Sequence, residues 1–313
     1  MILVSDAVPS AIHRALRERY QLAVARNSVE GGGLAIDRND ALEIRALVTP
    51  GSSRISRSVM RALPRLGLIA CIGTGFDGID LVAAAERGVR VTHSPGAPAS
   101  SVADVAVALL IASQRQLAVS AAALRASQCQ QRWPATLGLT GGRAGIYGYG
   151  AIGRKIAARL AACEMEVGYF SRTHDPESQH RAFPSLLSLA EWADALIVSV
   201  PATAQTLGSV NATVLRALGP QGQLVNVARA SVIDADALHS VLAEKAIAGV
   251  ALDVAASEDL ERLLAYPNVL VTPHIGGSTH QAEGMMRDCV LSNLVAFFAG
   301  EPLPNPVCRE NPP

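Results

Sequence analysis

Short runs of apolar, often β-branched residues alternate along the whole chain with stretches whose apolar positions recur every three to four residues. That alternation is the signature of βα units stacked around parallel sheets. In the first third, strands are predicted at residues 2–4, 21–25, 46–48, 66–72 and 89–93, with helical pieces at 10–17 and 81–87. Gly31, Gly32 and Gly33, and the run Thr49-Pro50-Gly51-Ser52-Ser53, mark loops. Residues 100–124 switch to long helices, and Ser101-Val102-Ala103-Asp104 has the form of a capped start. After a polar, irregular stretch (128–140) a second series begins, with strands predicted at 143–148, 166–171, 195–200, 223–228, 247–253 and 269–274. Six largely apolar strands describe a sheet covered on both faces. A long amphipathic helix over 281–299 and a Pro-rich tail follow, and the helix is expected to cross back onto the first series.

Composition narrows the class. With 313 residues there is room for two domains, and 50% hydrophobic against 17% charged positions excludes a disordered chain. Twenty-seven basic and twenty-seven acidic residues balance, so no global field draws the protein to nucleic acid or an anionic membrane. Five scattered cysteines without a C-x-x-C pair argue against a zinc site or a disulfide framework and fit a reducing cytosol. The N-terminus lacks the pattern of a signal peptide, and no apolar run approaches the ~18 residues of a membrane span. The expectation is a soluble, cytoplasmic protein that binds neither nucleic acid nor membrane and holds no metal.

The chemistry starts at Gly148-Tyr149-Gly150-Ala151-Ile152-Gly153, a G-x-G-x-x-G run between a hydrophobic strand and a helix predicted over 154–163. In a dinucleotide site Gly148 makes the tight turn, Gly150 lets the backbone approach a pyrophosphate, and Gly153 lets helix and strand touch. The helix N-terminus then offers unpaired N–H groups to the phosphates. A turn whose glycines serve packing alone is the alternative, and the strand–turn–helix context favours the cofactor. NAD sites carry Asp or Glu at the end of the next strand, whereas this chain has Ser171, Arg172 and Thr173 after Tyr169-Phe170. No carboxylate is there to repel a 2′-phosphate, and Arg172 with two hydroxyls can bind one, so NADPH is preferred over NADH. A solvated loop arginine is the bland reading.

Three later motifs each end a predicted strand: Val225-Asn226-Val227-Ala228-Arg229-Ala230, Ala251-Leu252-Asp253 running on to Glu258, and Val271-Thr272-Pro273-His274-Ile275-Gly276-Gly277. Reduction of a 2-oxo acid needs a cation for the carboxylate, a donor for the carbonyl oxygen and a proton. Arginine, glutamate and histidine supply that set.

With these motifs, and with Gly73-Thr74-Gly75-Phe76-Asp77-Gly78-Ile79-Asp80, Ser101-Val102-Ala103-Asp104 and Val200-Pro201 with Thr206, the chain resembles the D-isomer-specific 2-hydroxyacid dehydrogenases over residues 66–302. Its Ser-Arg-Thr triplet is most similar to that of the NADPH-preferring glyoxylate/hydroxypyruvate reductases. The resemblance implies a two-domain α/β fold, a Rossmann dinucleotide-binding domain (99–283) inserted into a smaller flavodoxin-like substrate domain (1–98 plus 284–313). It implies His274 as the proton donor, Glu258 as the group that holds and polarises the imidazole, and Arg229 as the carboxylate clamp. Thr74 and Gly75 would add backbone N–H groups to the carboxylate, and Asp253 would accept from the nicotinamide carboxamide. Val200, Pro201 and Thr206, then Val227 and Ala228, and finally Gly276 and Gly277 would line the cofactor beside Arg229 and His274. A homodimer through the helices of 101–124 is also implied.

The chain departs from the family pattern at Ala255, where an aromatic residue is usual, at Asp259, where proline is usual, and at Ala230, where glycine is usual. The short segment before His274 leaves Glu261 open as an alternative to Glu258. His13, His93, His174, His180, His239 and His280 read as ordinary loop residues, and Trp133 as ordinary packing. A phosphite- or phosphoglycerate-type dehydrogenase, or a corepressor-like NADP(H)-sensing module without turnover, are the rival functions.

Overall fold

The computed structural model describes residues 1–27, 34–35, 38–126 and 133–307, which leaves the loop glycines 31–33 and two of the five cysteines outside the described residues. The chain divides into two compact units, Met1–Pro98 with Gly277–Pro313, and Ala99–Gly276. The return crossing falls at Gly276/Gly277, ahead of the last helix, and not within that helix at 283/284 as the sequence suggested.

Unit 1 is a six-stranded sheet of β1 (Ile2–Ser5), β2 (Leu22–Asn27), β3 (Leu34–Ala35), β4 (Ala46–Pro50), β5 (Leu68–Ile72) and β6 (Arg90–Thr92). Its order is β3-β2-β1-β4-β5-β6, all parallel except the β2–β3 pair. Without the edge strand β3 this is the flavodoxin-like order. Its first helices are α1 (Ser10–Arg17), α2 (Arg38–Ala41), α3 (Arg57–Arg61) and α4 (Leu81–Glu86). Alternate strand residues feed opposite faces: Ile2, Val4, Ala46, Val48, Leu68 and Ala70 join one core, and Leu3, Leu47, Ile69 and Cys71 the other. The first of these cores also takes Met286, Val290, Leu294 and Phe297 from the last helix, which packs there beside Ile12 and Leu16 of α1.

Unit 2 carries α5 (Ala99–Gln114) and α6 (Leu117–Arg125), then β7 (Arg143–Tyr147), α7 (Ala151–Ala162), β8 (Glu166–Phe170), β9 (Arg181–Ala182), α8 (Leu186–Trp192) and β10 (Ala195–Val198). There follow α9 (Ala212–Ala217), β11 (Gln223–Asn226), α10 (Ala235–Ala243), β12 (Gly249–Leu252), α11 (Leu260–Leu264) and β13 (Val269–Val271); the last helix of the chain, in unit 1, is α12 (His280–Ala299). The seven strands are parallel in the order β13-β12-β11-β10-β7-β8-β9, the Rossmann order with a strand added beyond β12. Seven strands replace the six expected, because β9 is two exposed residues long and has no apolar pattern to betray it. Ala144, Ile146, Ala195, Ile197 and Val225 face one core, and Tyr147, Leu196, Val198 and Leu224 the other.

Helix α5 begins two residues before Ser101, which is buried in its first turn and so is not the cap the sequence suggested. Asp104 instead reaches Arg159 of α7 at 2.7 Å. Gln116, in the left-handed region at φ 51°, bends the chain by 60° between α5 and α6. Among the described residues no single helix is long and apolar enough to cross a membrane.

Candidate functional site

The predicted site residues fall in both units, and each half is built within its own. In unit 2 the sheet order reverses between β7 and β10, so the chain ends leaving those strands open a crevice where ligands bind in such sheets. The three glycines of the turn after β7 are required for three different reasons. Gly148 has φ 97°, and a Cβ there would stand 2.8 Å from the Val200 side chain. At Gly153 a Cβ would stand 2.0 Å from the Gly148 carbonyl oxygen. Gly150 faces nothing within 4 Å, which leaves its backbone approachable. Helix α7 starts at Ala151 and not at 154, so the N–H groups of Ala151, Ile152 and Gly153 are the first-turn donors. These features fit a dinucleotide pyrophosphate.

The end of β8 carries Ser171, half-buried, with Arg172 and Thr173 exposed. After β10, Val200 and Pro201 enter a turn closed by Thr206, whose hydroxyl donates to the Pro201 carbonyl (2.7 Å) and accepts from the Thr203 N–H (2.8 Å). Thr206, expected at the cofactor, therefore spends its hydroxyl on holding that turn.

At the other end of the sheet, Val227 and Ala228 continue from β11 as buried residues, and Arg229 follows half-buried. Asn226 fixes this exit: its amide donates to the Arg229 carbonyl and its oxygen accepts from the Ala228 N–H, both at 2.9 Å. The Arg229 guanidinium donates to the Ala228 carbonyl at 2.8 Å. Asn226 is fully buried, and an amide at the end of a buried strand was the available signal that sequence reasoning passed over.

Asp253 leaves β12 only 2% exposed. Its Oδ1 accepts from the Thr272 hydroxyl (2.6 Å) and the Ile275 N–H (2.9 Å), and its Oδ2 from the Gly276 N–H (2.9 Å). Its carbonyl accepts from the His274 N–H at 2.9 Å. The carboxylate expected to meet a nicotinamide carboxamide is thus taken up by the turn that carries His274. Gly276 is needed there, since a Cβ would lie 2.8 Å from Asp253 Oδ2. His274 itself sits at φ 55° with an exposed side chain.

Glu258 lies in the turn before α11, exposed, and no hydrogen bond joins it to His274; Glu261, in the first turn of α11, is exposed as well. Asp259 occupies the N-cap position of α11 without capping it. Its carboxylate instead meets His239 Nε2 at 2.7 Å, and His239 is 2% exposed on α10. That pair corrects the reading of His239 as a loop residue. With a carboxylate as acceptor, Nε2 carries the donated proton, while Nδ1 has no partner among the described residues.

In unit 1, Thr74 and Gly75 follow β5 on a loop locked by two close approaches. A Cβ at Gly51 would stand 1.7 Å from the Gly75 carbonyl oxygen, and one at Gly78 would stand 2.4 Å from that of Ser53. His93 holds the same loop, its Nδ1 2.9 Å from the Thr74 carbonyl and its ring edge-on to Phe76. Gly277 opens the second segment of unit 1.

Among the described residues no group of three or more His, Cys, Asp or Glu side chains could hold a metal ion. Burial pushes the Cys71 thiol up to about 12, and burial also raises that of Cys289, so neither is an activated nucleophile.

Comparison with known proteins agrees with this geometry. Residues 107–276 match the family model of the D-isomer specific 2-hydroxyacid dehydrogenase NAD-binding domain. The chain is 33% identical to a glyoxylate/hydroxypyruvate reductase A of Arabidopsis thaliana over 98% of both chains. It is 35% identical to a hydroxyphenylpyruvate reductase of Plectranthus scutellarioides over 85% of this chain and 86% of that one. Among solved structures, an NADPH-dependent glyoxylate/hydroxypyruvate reductase from Sinorhizobium meliloti in complex with NADP and malonate superposes with a TM-score of 0.88 at 34% identity, covering 98% of this chain and 96% of that one. The glycine turn, the sheet order and these matches converge: the chain belongs to the D-isomer-specific 2-hydroxyacid dehydrogenase family and is an NAD(P)-dependent oxidoreductase.

Proposed function

We propose that this enzyme reduces a small 2-oxo acid of the glyoxylate/hydroxypyruvate class to the D-2-hydroxy acid, with NADPH preferred over NADH. The observation that carries the reading is the His274 turn, whose backbone is fixed by the buried Asp253 while its imidazole stays exposed to a ligand. The names of the Arabidopsis and Sinorhizobium relatives support the substrate class, and the carboxylate-free Ser171-Arg172-Thr173 segment supports the cofactor.

In this reading the first-turn N–H groups of α7 hold the pyrophosphate, and Arg172 with its flanking hydroxyls holds the 2′-phosphate. NADPH, when bound, supplies the hydride to the carbonyl carbon. Arg229 binds the substrate carboxylate through its forked donors. His274 gives its proton to the carbonyl oxygen as the alkoxide develops, and Glu258 takes the role of its partner once ligands are bound; such catalytic bonds commonly tighten only in the complex. Asp253 fixes the backbone of the turn that carries the imidazole.

The reading extends to a homodimer. Helix α6 buries none of its residues, and Leu117, Val119 and Leu124 on it are 50%, 45% and 60% exposed. A groove of about 630 Å³ runs beside it, lined by Val119, Leu137, Val269 and Leu270, and a second copy of the chain fits that apolar face. Cys71, Cys163 and Cys289 are all free thiols, which suits the cytoplasm.

The test is a cofactor-oxidation assay with glyoxylate, hydroxypyruvate, pyruvate and a bulkier 2-oxo acid. Glyoxylate and hydroxypyruvate should turn over fastest and NADPH should outperform NADH; absence of turnover on all four overturns the reading. Arg172→Asp should invert the cofactor preference, as a carboxylate there repels the phosphate and accepts from a ribose hydroxyl.

A further inference from the structure

The loop that follows β8 is tied down far more than an exposed cofactor loop needs to be for its own stability. Gly148 donates its N–H to the Phe170 carbonyl at 2.9 Å, which fixes the chain as it enters Ser171. On the far side, the Asp175 N–H donates to the Tyr169 hydroxyl at 3.2 Å, and that hydroxyl also lies 3.2 Å from His174 Nδ1. Tyr169 is 1% exposed, so the post that holds Asp175 is a core residue. The Asp175 carboxylate pairs with Arg154 of α7 at 2.5 Å. The Ser171-Arg172-Thr173 triplet is therefore a short span closed at both ends.

A second set of contacts joins this span to the glycine turn. Tyr149, the residue between Gly148 and Gly150, stacks on Tyr169 with ring centroids 3.9 Å apart and planes 18° apart. The Arg154 guanidinium lies 5.4 Å from the centre of the Tyr149 ring. The Tyr149 hydroxyl accepts from Ser178 Oγ at 3.0 Å, further along the same loop. One aromatic pair thus connects the turn that faces a pyrophosphate to the loop that faces a 2′-phosphate.

We infer that Tyr149 and Tyr169 form a clasp that preorganises the Ser171-Arg172-Thr173 segment, which makes Tyr169 a positioning residue for discrimination of NADPH from NADH. The inference rests on the proposed phosphate-binding role of that segment. Charge-assisted bonds to a phosphate require donors in fixed directions, and a segment already held there loses little freedom on binding. NADH carries no phosphate at that position and asks for no such order. Loosening the clasp therefore weakens NADPH selectively.

Tyr169→Phe keeps the stacked ring and every charge and removes only the hydroxyl that holds Asp175; Tyr149→Phe likewise removes only the tie to Ser178. The Kd of NADPH and of NADH are read by cofactor fluorescence on the full-length chain, with thermal midpoints as a check of folding. The ratio of the NADH to the NADPH Kd should fall fivefold or more in Tyr169→Phe, and further in the double variant. A ratio within twofold of wild type in the double variant, or equal weakening of both cofactors, overturns the clasp. Arg172→Ala, measured alongside, separates the two claims. If it collapses the ratio while the tyrosine variants keep it, the clasp alone is wrong; if it leaves the ratio intact, the phosphate role of the segment is wrong and the clasp goes with it.

Discussion

The two ends of the ligand-facing edge of unit 2 are built on opposite plans. At the β7–β8 end the side chains themselves are tied, Tyr149 to Tyr169 and Arg154 to Asp175. At the β11–β13 end most ties are made to the backbone: Asn226 to the Arg229 carbonyl, and Asp253 to the Ile275 and Gly276 N–H groups. His274 keeps an exposed head on an anchored stem. The difference suits the roles proposed for the two ends. A cofactor of constant shape is served by rigid donors, whereas a reacting group must meet charge that changes during the reaction.

The sharpest way to break this contrast is to remove a head and leave its stem. His274→Ala should lower kcat by about 10²–10⁴-fold, the usual value of a positioned proton donor, while the NADPH Kd stays near wild type. Turnover within threefold of wild type would refute the assignment.

Removing a stem should act less severely and differently. Asn226→Ala frees the Arg229 carbonyl and leaves the Ala228 N–H without its acceptor, so KM for the 2-oxo acid should rise about tenfold with a smaller fall in kcat. Steady-state kinetics that show kcat alone affected would argue that Asn226 does not orient the arginine.

Asp259→Ala probes a further tie, the partly buried carboxylate that meets His239. It strips His239 of its partner in the core, a change worth about 1–3 kcal/mol. The thermal midpoint should then fall by roughly 5 °C. An unchanged midpoint would mean that His239 finds another acceptor.

The smallest effect belongs to Asp194, at the opposite edge of the sheet, where the Arg143 guanidinium and backbone N–H hold its carboxyl below the ordinary carboxylate range. Because that carboxyl titrates lower in the folded chain, its contribution is complete above about pH 4 and fades as acid protonates it. Both side chains are about two-fifths exposed, so Asp194→Asn should cost under ~1 kcal/mol at neutral pH. The gap to wild type in denaturant midpoint should close in acid, and cofactor affinity should not move at any pH.

Much of this molecule was legible before its coordinates. Short apolar runs predicted eleven of the named strands in place through the strong signal of a sheet buried on both faces, and the glycine turn marked the switch point. Helix α7 was placed three residues late because the first helical turn lies inside the G-x-G-x-x-G motif, where glycine reads as loop. Strands β3 and β9, two residues each, have no room for a period. The reach of Asp253 toward Gly276, or of His239 toward Asp259, spans more than twenty residues or joins separate elements, and a lone polar residue does not announce its partner. The motifs named the candidate groups, and only the fold reveals what holds them.

Histidine 274 occupies a backbone conformation that glycine or asparagine would adopt at lower cost. Folding and turnover therefore pull this position in different directions. On the proposed role of His274, a population of variants screened only for survival at high temperature should accumulate small or amide side chains there and lose turnover.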